Sequence, residues 1–371
     1  MSQNEHPIAI ASSQGDPKNP KTWSGTPSNI IRGMEDLGVK VLGINSNLKK
    51  HQKLTYLLVH KLCGYRTDYR RGRLSRTHSA KILQSQIKAL GIKKILHTST
   101  FDLPLPKPEP EVEHYLFCDS TWNLWSQYTT NIAQYTPKMR SLAEQLEQES
   151  YAQVKHFFSI SEYIRENLIN YYQIEPNRIT VVGTGRGKIE PFMGNKDYQN
   201  GHILFVAKAR FEDKGGPLLL EGFKKARQQN PSLKLVIVGQ KEYEQLIGSV
   251  PGVSVTGFIP WEELQNLFHT AALFAMPSLN EPWGLVYLEA LACKTPILGL
   301  NRNSLPEMTD KGKYGFLVDE PTPESIAEAM LQAFSHPDKL QEMGSDGQKY
   351  CLEKFSWEQV ASKIVSVMLG I

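Results

Sequence analysis

Cysteine is scarce in this chain, with four in 371 residues, and Cys63, Cys118, Cys293 and Cys351 show no paired spacing. That pattern predicts reduced thiols and argues against a disulfide framework or a zinc site. No run of 18 apolar residues occurs, so no transmembrane helix is expected. The polar start, residues 1–6, is not typical of a signal peptide. These absences together predict a cytoplasmic protein.

What the chain does contain is an ordinary globular composition, with 40% hydrophobic and 22% charged residues. Patterns typical of strands and of helices alternate along its whole length, which predicts parallel sheets with crossover helices. A polar stretch at 194–201 is predicted to link two domains, spanning 1–195 and 196–355, with a last helix at about 356–371 packing back on the first. Strands are predicted at 8–11, 38–44, 95–98, 113–119, 157–161, 178–182, 203–206, 234–239, 253–260 and 271–277.

Two carboxylates lie eight residues apart across a predicted loop-to-helix junction. Pro282 biases Glu281 towards extended geometry on the loop, whereas the helical spacing of 285–292 places Glu289 on the following helix. Gly284 permits a close approach of backbone to a ligand, and the helix start offers N–H groups to an anion. Carboxylates that accept hydrogen bonds from hydroxyls, beside a helix end that accepts negative charge, suit a phosphorylated sugar.

This segment resembles the signature of retaining GT-B glycosyltransferases of family 4, the glycosyl transferases group 1. Their motif is E-x-[FW]-G-x-x-x-x-E-A-x-A-x-x-x-P, and the positions that match it are Glu281, Trp283, Gly284, Glu289, Ala290, Ala292 and Pro296. The resemblance is dense from about 150 to 371. It implies two Rossmann-like, doubly wound domains that face a central cleft.

A second match lies at the predicted strand-loop-helix turn 203–223, where the family carries a basic residue followed by Lys-Gly. Lys214 and Gly215 fit the Lys-Gly pair. The family's usual spacing lands on Ala209, so either Arg210 or Lys208 is the first basic residue. Arg210 is favoured because a guanidinium binds phosphate oxygens bidentately. The resemblance implies that these cations hold the donor diphosphate.

The resemblance also implies how the donor is bound in the second domain. Glu289 would accept hydrogen bonds from the ribose hydroxyls and Glu281 would contact the donor sugar. Backbone N–H groups of three successive residues would face the sugar and phosphate, and a turn would hold the base through backbone groups. The residues implied are Trp283, Gly284 and Leu285 for the N–H groups, and Gly257 and Ile259 for the turn.

Residues of the first domain are implied as well. Gly25 fits a loop that closes over the diphosphate, with a helix starting at Ser28 or Asn29, and Gly185 fits a glycine that faces the ligand. Where the family has a histidine before Asp, this chain has Cys118 before Asp119. Asp119 is therefore the candidate for the sugar-side contact, with His97 in reserve.

The implied reaction moves a hexosyl unit from a nucleoside-diphosphate sugar to a hydroxyl of a glycan, lipid or small-molecule acceptor. Glycosyltransferases of the GT-A class hold a metal with Asp-x-Asp, a pair that this chain lacks, so leaving-group stabilisation by Arg210 and Lys214 without metal or cofactor is expected. Catalysis would then rest on Glu281, Arg210, Lys214 and Asp119. A non-hydrolysing sugar-nucleotide epimerase and a non-catalytic sugar-nucleotide-binding protein remain the alternatives.

One segment is strongly basic: between Lys49 and Arg76 the chain has nine lysine and arginine residues and a single acidic one, Asp68. Within it, 54–62 could form an amphipathic helix. Several members of the family resembled contact anionic membranes through such a face, which predicts peripheral membrane contact through 49–76. The alternative is a solvated loop over the acceptor cleft. No nucleic-acid-binding module accompanies the segment, so nucleic acid is not an expected partner.

Overall fold

The protein is described by a computed structural model that covers residues 7–62, 69–105 and 111–371. Its contacts divide the chain into two units, Met1–Gly185 with Trp357–Ile371, and Arg186–Ser356. The division falls between Gly185 and Arg186, ten residues before the boundary expected from the sequence. Each unit contains one six-stranded parallel sheet with helices around it. The predicted α/β class with two doubly wound domains is confirmed.

The sheet of the first unit has the order β2-β1-β3-β4-β5-β6. Its strands are β1 Ile8–Ser12, β2 Val41–Asn45, β3 Lys94–His97, β4 Glu113–Cys118, β5 Val154–Ser159 and β6 Ile179–Val181. The helices between them are α1 Thr26–Asp36, α2 Lys50–Leu62, α3 Arg73–Leu90, α4 Trp122–Tyr128, α5 Pro137–Tyr151 and α6 Glu162–Asn170. β1 is buried along its whole length, as expected of an apolar strand covered on both faces.

The sheet of the second unit has the order β12-β11-β10-β7-β8-β9. Its strands are β7 His202–Ala207, β8 Leu235–Gly239, β9 Val253–Gly257, β10 Ala271–Ala275, β11 Ile297–Leu300 and β12 Gly315–Val318. The helices are α7 Gly216–Gln229, α8 Glu242–Ile247, α9 Trp261–Thr270, α10 Leu285–Ala292, α11 Leu305–Met308, α12 Pro323–Ser335 and α13 Pro337–Lys354. β10, an alanine-rich apolar strand, is fully buried.

Each sheet has a point where the order of the strands reverses. In the first sheet β1 lies between β2 and β3, and in the second β7 lies between β8 and β10. The loops at the carboxyl ends of β1 and β3, and of β7 and β10, therefore run to opposite faces of their sheet. Such a switch point leaves a crevice in which ligands of parallel sheets commonly bind.

The last helix, α14 Trp357–Leu369, belongs to the first unit and packs on α1. Gly33 permits this packing, because a Cβ there would lie 2.8 Å from Cβ of Ala361 and 3.0 Å from the carbonyl oxygen of Trp357. Lys94 adds a hydrogen bond from Nζ to the carbonyl oxygen of Met368. The sheet and helix layer of the first unit thus include the last residues of the chain.

Two local expectations differ from the structure. α1 begins at Thr26, before Ser28 and Asn29, because Pro27 suits the first helical turn. The expected linker 194–201 belongs to the second unit, where Nζ of Lys196 donates to the carbonyl oxygens of Phe268 and Ala271, at 2.8 Å each. Its polar side chains bond to the unit and are not simply solvated.

Three of the four cysteines, Cys118, Cys293 and Cys351, are buried free thiols, as predicted, and Cys63 lies outside the described residues. Within the described ranges, no helix has both the length and the apolar character needed to cross a membrane.

Candidate functional site

The residues expected to bind the donor lie at the switch point of the second sheet, on the loops that follow β7 and β10. Asp213 joins the two loops, because its carbonyl oxygen accepts hydrogen bonds from Oγ of Ser278 at 2.8 Å and from the N–H of Leu279 at 2.9 Å. Gly215 lies so close to the second loop that a Cβ would be 1.9 Å from the carbonyl oxygen of Pro277. The two loops therefore form one rigid wall.

Lys214 and Glu281 form an ion pair across these loops, and each side chain is 17% exposed. Burial and the neighbouring Arg210 cation lower the pKa of Lys214 to about 8. The contact with a carboxylate opposes that shift, because it stabilises the ammonium. The two residues are 67 positions apart in the chain, and the structure brings them into contact at the site to which the sequence assigned both.

Arg210 is held over the same wall. Its Nε donates to the Asp213 carboxylate at 2.8 Å and its Nη2 to the carbonyl oxygen of Asn280 at 3.1 Å. Its backbone is left-handed, with φ of 63°, which is uncommon for a residue with a side chain. Lys208, the alternative first cation, is exposed. The bond to Asn280 ties the guanidinium to the residue before Glu281.

Two helices begin at this edge of the sheet, α7 after Gly215 and α10 after Gly284, with φ of 76° and 83° at the two glycines. Neither helix has a side-chain hydrogen bond to its first turn from the N-cap residue. In α7 the N–H of Gly216 donates to the carbonyl oxygen of Phe211 at 2.9 Å and Pro217 has no N–H, and in α10 the N–H of Tyr287 donates to the carbonyl oxygen of Gly284 at 3.0 Å. The helix dipole still adds partial positive charge at both starts, which favours an anion at this edge.

Glu289 lies one turn into α10, as predicted, and its Oε1 accepts a hydrogen bond from the backbone N–H of Lys188 at 2.9 Å. Gly187 makes room for this carboxylate, because a Cβ there would lie 2.0 Å from Oε1. Burial raises the pKa of Glu289 to about 7. Gly187 and Lys188 were missed in the sequence, although the repeated glycines at 183–187 already indicated a close backbone approach.

The side chains around α10 support it from the core. Trp283 is 5% exposed and packs edge-to-face on Phe355, with ring centroids 5.9 Å apart. Tyr287 donates from its hydroxyl to the carbonyl oxygen of Met276 at 2.7 Å. The roles expected for the backbone N–H groups of Trp283, Gly284 and Leu285 remain predictions.

The turn at the end of β9 has a left-handed backbone, a conformation that favours glycine. Gly257 has φ of 68°, and no side-chain or backbone atom lies closer than 3.9 Å to the position of an added Cβ. Ile259 is half-buried, and Phe258 between them is 62% exposed. Base binding by Gly257 and Ile259 also remains a prediction.

The residues expected in the first unit have mixed surroundings. Gly25 has φ of 85° and precedes α1, so a left-handed turn does require glycine there. Close packing explains the glycine at position 185, because an added Cβ would lie 2.4 Å from the ring of Trp357. Burial raises the pKa of Asp119 to about 6. The roles of Gly25, Gly185 and Asp119 in ligand binding are untested.

His97, the reserve for the sugar-side contact, has both ring nitrogens engaged inside the first unit. Nδ1 lies 3.2 Å from the Asp102 carboxylate and Nε2 lies 2.9 Å from Nδ1 of His114. The side chain is fully buried. His97 therefore serves the core of its unit and has no ring nitrogen left for a ligand.

Among residues 7–62, 69–105 and 111–371, no group of three or more His, Cys, Asp or Glu side chains is placed to hold a metal ion.

Residues 188–350, which contain all the donor-site residues of the second unit, match the family model described as glycosyl transferases group 1. Among curated relatives, the alpha-maltose-1-phosphate synthase of Mycolicibacterium smegmatis is 31% identical over 33% of this chain and 34% of its own length. The D-inositol 3-phosphate glycosyltransferase of Segniliparus rotundus is 28% identical over 54% of this chain and 49% of its own length. The matches thus span between a third and a half of these relatives.

The fold is similar to solved structures over nearly the whole chain. The sucrose-phosphate synthase of Thermosynechococcus elongatus superposes with a TM-score of 0.74 at 16% identity and covers 98% of both chains. At that identity the likeness shows the fold, which is GT-B with two Rossmann-like sheets, as the sequence predicted.

Proposed function

We propose that this protein is a retaining glycosyltransferase that moves a hexosyl unit from a nucleoside-diphosphate sugar to an acceptor hydroxyl without a metal ion. One observation carries the proposal: the Lys214–Glu281 pair, with Arg210 beside it, lies at the sheet's switch point in front of two helix starts. Cations and N–H groups for a diphosphate meet a carboxylate for sugar hydroxyls there, within the segment that matches the group 1 glycosyl transferases.

The leaving group sets the main demand on such a site. Transfer breaks the bond between the anomeric carbon and a phosphate oxygen, and negative charge collects on the departing diphosphate. Fixed donors aimed at that charge lower the barrier because they need no reorganisation during the reaction. Arg210 is already held by Asp213 and Asn280. The Lys214 ammonium carries three N–H donors, so its bond to Glu281 does not exhaust it.

The carboxylates bind the uncharged parts of the donor. Glu281 accepts hydrogen bonds from hydroxyls of the transferred sugar, and Lys214 orients it. Glu289 accepts hydrogen bonds from the ribose hydroxyls beside the one that it receives from the N–H of Lys188. The departing phosphate takes the proton of the acceptor hydroxyl, which attacks on the face the phosphate leaves. The new bond therefore keeps the configuration of the old one, and no protein side chain acts as base.

The exposed face of α2 extends the proposal to a membrane surface. No residue of α2 is buried, and its leucines at 54, 57, 58 and 62 are 47–87% exposed on one side of the helix. Lysines at 50, 53 and 61 accompany them, and the helix contains no acidic residue. Apolar and basic groups on one helix favour the interface of an anionic bilayer. Sedimentation with anionic and neutral vesicles tests this contact, and equal recovery with both would contradict it.

The activity is tested with purified protein and a panel of nucleoside-diphosphate hexoses. Slow release of nucleoside diphosphate without acceptor, faster release with an acceptor mixture, and retained anomeric configuration of the product by NMR are expected. Activity should persist in chelator. Tight binding of a donor with no release under any condition would instead indicate a non-catalytic binding protein. Loss of activity in chelator with rescue by manganese would overturn metal independence.

A further inference from the structure

The loop after β11, residues 301–304, holds the donor loop that contains Glu281. Two of its side chains donate to successive carbonyl oxygens of that loop: Nδ2 of Asn303 donates to Glu281 at 3.3 Å, and Oγ of Ser304 donates to Pro282. The sequence assigned neither residue to the site, and the mechanism proposed above gives neither of them a role. Each donor lies 22 positions from its acceptor in the chain, so no local pattern reveals the contact.

A third carbonyl oxygen of the donor loop is held from the loop after β7. Nη2 of Arg210 donates to the carbonyl oxygen of Asn280 at 3.1 Å. β10 lies between β7 and β11 in the sheet, so the loop after β10 is held by the loops of both neighbouring strands. Three side chains thus bind the carbonyl oxygens of three successive residues, and we call Arg210, Asn303 and Ser304 the carbonyl clamp.

The carbonyl clamp fixes the direction in which the Glu281 side chain leaves the backbone. A peptide unit is planar, so a bond to its carbonyl oxygen restrains the whole plane. Arg210 holds the plane before Glu281, and Asn303 holds the plane after it. Only the φ and ψ angles of Glu281 lie between these two planes, so its Cα–Cβ bond keeps one direction. Lys214 then holds the carboxylate itself.

Ser304 holds the donor loop without capping its own helix. It is the N-cap residue of α11, a position where a serine hydroxyl usually accepts a hydrogen bond from the first helical turn. No such bond is present, and Oγ donates to the carbonyl oxygen of Pro282. The side chain is fully buried. Its hydroxyl therefore serves the donor loop and not the helix that it precedes.

Asn303 donates to Glu281 from a left-handed backbone. Its φ is 54°, a region in which asparagine is tolerated better than most residues that have a side chain. Glycine would adopt this backbone more easily but has no side-chain donor. Asparagine at this position thus combines the turn of the loop with the bond to the carbonyl oxygen of Glu281.

The loop that carries Asn303 and Ser304 is itself anchored to the second unit. The N–H of Asn301 donates to the carbonyl oxygen of Val318 on β12 at 2.8 Å, and its Nδ2 donates to the carboxylate of Asp319 at 2.7 Å. α11, which follows the loop, is held by α13, because the hydroxyl of Tyr350 donates to a carbonyl oxygen of α11 at 3.0 Å. The carbonyl clamp therefore connects the donor loop to β12 and α13.

We propose that Asn303 and Ser304 are positioning residues of the transfer and that they act through Glu281. They hold the two peptide units that follow Glu281, and so keep its carboxylate in place for the hydroxyls of the hexosyl group. This role rests on the proposed function, in which Glu281 binds the transferred sugar. The nucleoside diphosphate is bound there by Arg210, Lys214 and Glu289, so its affinity should not depend on Asn303 or Ser304.

The affinity that the sugar adds to the diphosphate tests this role. It is measured by calorimetric titration of the full chain with UDP and UDP-glucose, and with GDP and GDP-mannose. Ser304→Ala and Asn303→Gly should each weaken the preferred nucleotide sugar about fivefold, the usual effect of one hydrogen bond. The affinity for the matching nucleoside diphosphate should stay within about twofold. Glycine suits the left-handed backbone of residue 303, so Asn303→Gly removes the donor and keeps the turn.

Two matched controls separate the carbonyl clamp from any loss of a side-chain bond to backbone. Ser335→Ala removes a hydroxyl that donates to the carbonyl oxygen of Gln332 on the exposed side of α12. Gln173→Gly replaces another left-handed residue, with φ of 56°, whose Nε2 donates to the carbonyl oxygen of Asn170 in the first unit. Both controls should leave all affinities within about twofold. Equal losses in a control and its matched clamp variant would overturn the proposal.

A double substitution shows whether Ser304 acts through Glu281. Glu281→Ala removes the carboxylate, so Ser304→Ala added to it should change the affinity for the nucleotide sugar less than about twofold, since the two residues act as one unit. A general disturbance of the loop would lower that affinity in both backgrounds and would weaken the nucleoside diphosphate as well. Either of these results would overturn the positioning role.

The proposed function and the positioning role fail in different ways. None of these affinities requires turnover, so a chain that binds nucleotide sugar and never transfers it would contradict the transferase and leave the positioning role intact. Turnover and sugar affinity unchanged in Ser304→Ala and Asn303→Gly would end the positioning role and leave the transferase. If neither nucleotide sugar binds the original chain more tightly than its diphosphate, Glu281 does not bind the sugar and the positioning role is overturned.

Discussion

The switch points of the two sheets have the same backbone arrangement and opposite side-chain character. In the second unit the loops after β7 and β10 are tied together through Asp213, and Lys214 is already paired with Glu281. In the first unit the loops after β1, β2 and β3 surround a pocket lined by serines and arginines, and there the buried Nε of Arg76 has no hydrogen-bond partner among the described residues. A common fold thus provides two crevices, and the residues at the strand ends decide the chemistry of each.

The difference also concerns balance of charge. The second site contains its own carboxylates, Glu281 and Glu289, among the cations. The described wall of the first pocket contains none. We therefore expect a ligand with both hydroxyls and a diphosphate at the second site. Four changes test how far this contrast extends.

The largest expected effect is on turnover. Lys214→Met removes a cation from the proposed diphosphate site and should lower kcat about 10²–10³-fold, the usual cost of one preorganised donor. Lys224→Met is the control, because Lys224 on α7 also pairs with a glutamate, Glu221, but with both side chains 41–54% exposed. Donor consumption is measured for both. Equal rates in the two variants would remove Lys214 from the mechanism.

The second effect is on stability and concerns the rigid wall. Gly215→Ala combines a left-handed backbone with a clash against Pro277, and should lower the free energy of unfolding by about 3 kcal/mol. Gly91→Ala has the same left-handed backbone with no atom within 4 Å of its Cβ, and should cost only about 1 kcal/mol. Urea unfolding measures both, and similar losses would show that the close approach contributes nothing.

The third effect is on pH dependence, with one carboxyl in each unit. Burial raises the pKa of Glu289 from 4.5 to about 7 and that of Asp119 from 3.8 to about 6. Between those two pKa values the folded chain keeps a proton that the unfolded chain releases. The contribution of each carboxyl to the free energy of unfolding therefore falls as pH rises from the unfolded pKa to the folded pKa.

Glu289→Gln and Asp119→Asn should therefore flatten the decline in unfolding free energy, between about pH 4.5 and 7 for the first and about pH 4 and 6 for the second. Urea unfolding across this range measures the slopes. If a substitution leaves the slope of unfolding free energy against pH unchanged, the replaced carboxyl has the same pKa in the folded and the unfolded chain.

The smallest effect concerns the wall of the first pocket. Ser46→Ala leaves Oδ2 of the buried Asp102 without its hydroxyl donor and should cost about 1–2 kcal/mol of unfolding free energy. Ser85→Ala is the control, because the Ser85 hydroxyl donates only to the carbonyl oxygen of Ile82 on an exposed helix face, and should change stability little. If Ser46→Ala left the free energy of unfolding unchanged, another donor would have to replace the Ser46 hydroxyl at Asp102.

The second site was largely predictable from the sequence and the first pocket was not. Glu281 and Glu289 lie on one loop-helix junction, so local spacing and a family resemblance located them, and α10 occupies the predicted 285–292. The bond from Lys188 to Glu289 joins residues 101 positions apart, which no local pattern reveals.

The first pocket depends on strand order in the same way. Ser13, Ser46 and Phe101 are common residues in unremarkable contexts, and only the order β2-β1-β3 brings them together. For His97 the sequence suggested too much. Its position at a strand end suggested a ligand contact, whereas Asp102 and His114 occupy both nitrogens of its ring. Sequence predicted the elements well, and side-chain partners across elements less well.

The return of α14 to α1 has a consequence for synthesis on the ribosome. The second unit is one continuous segment and can fold as soon as residues 186–356 have emerged. The first unit is translated earlier but waits for 357–369, because Ala361 and Trp357 complete the surface around Gly33. Until then that surface of α1 stays exposed, so the unit that is translated first is the later one to complete its fold.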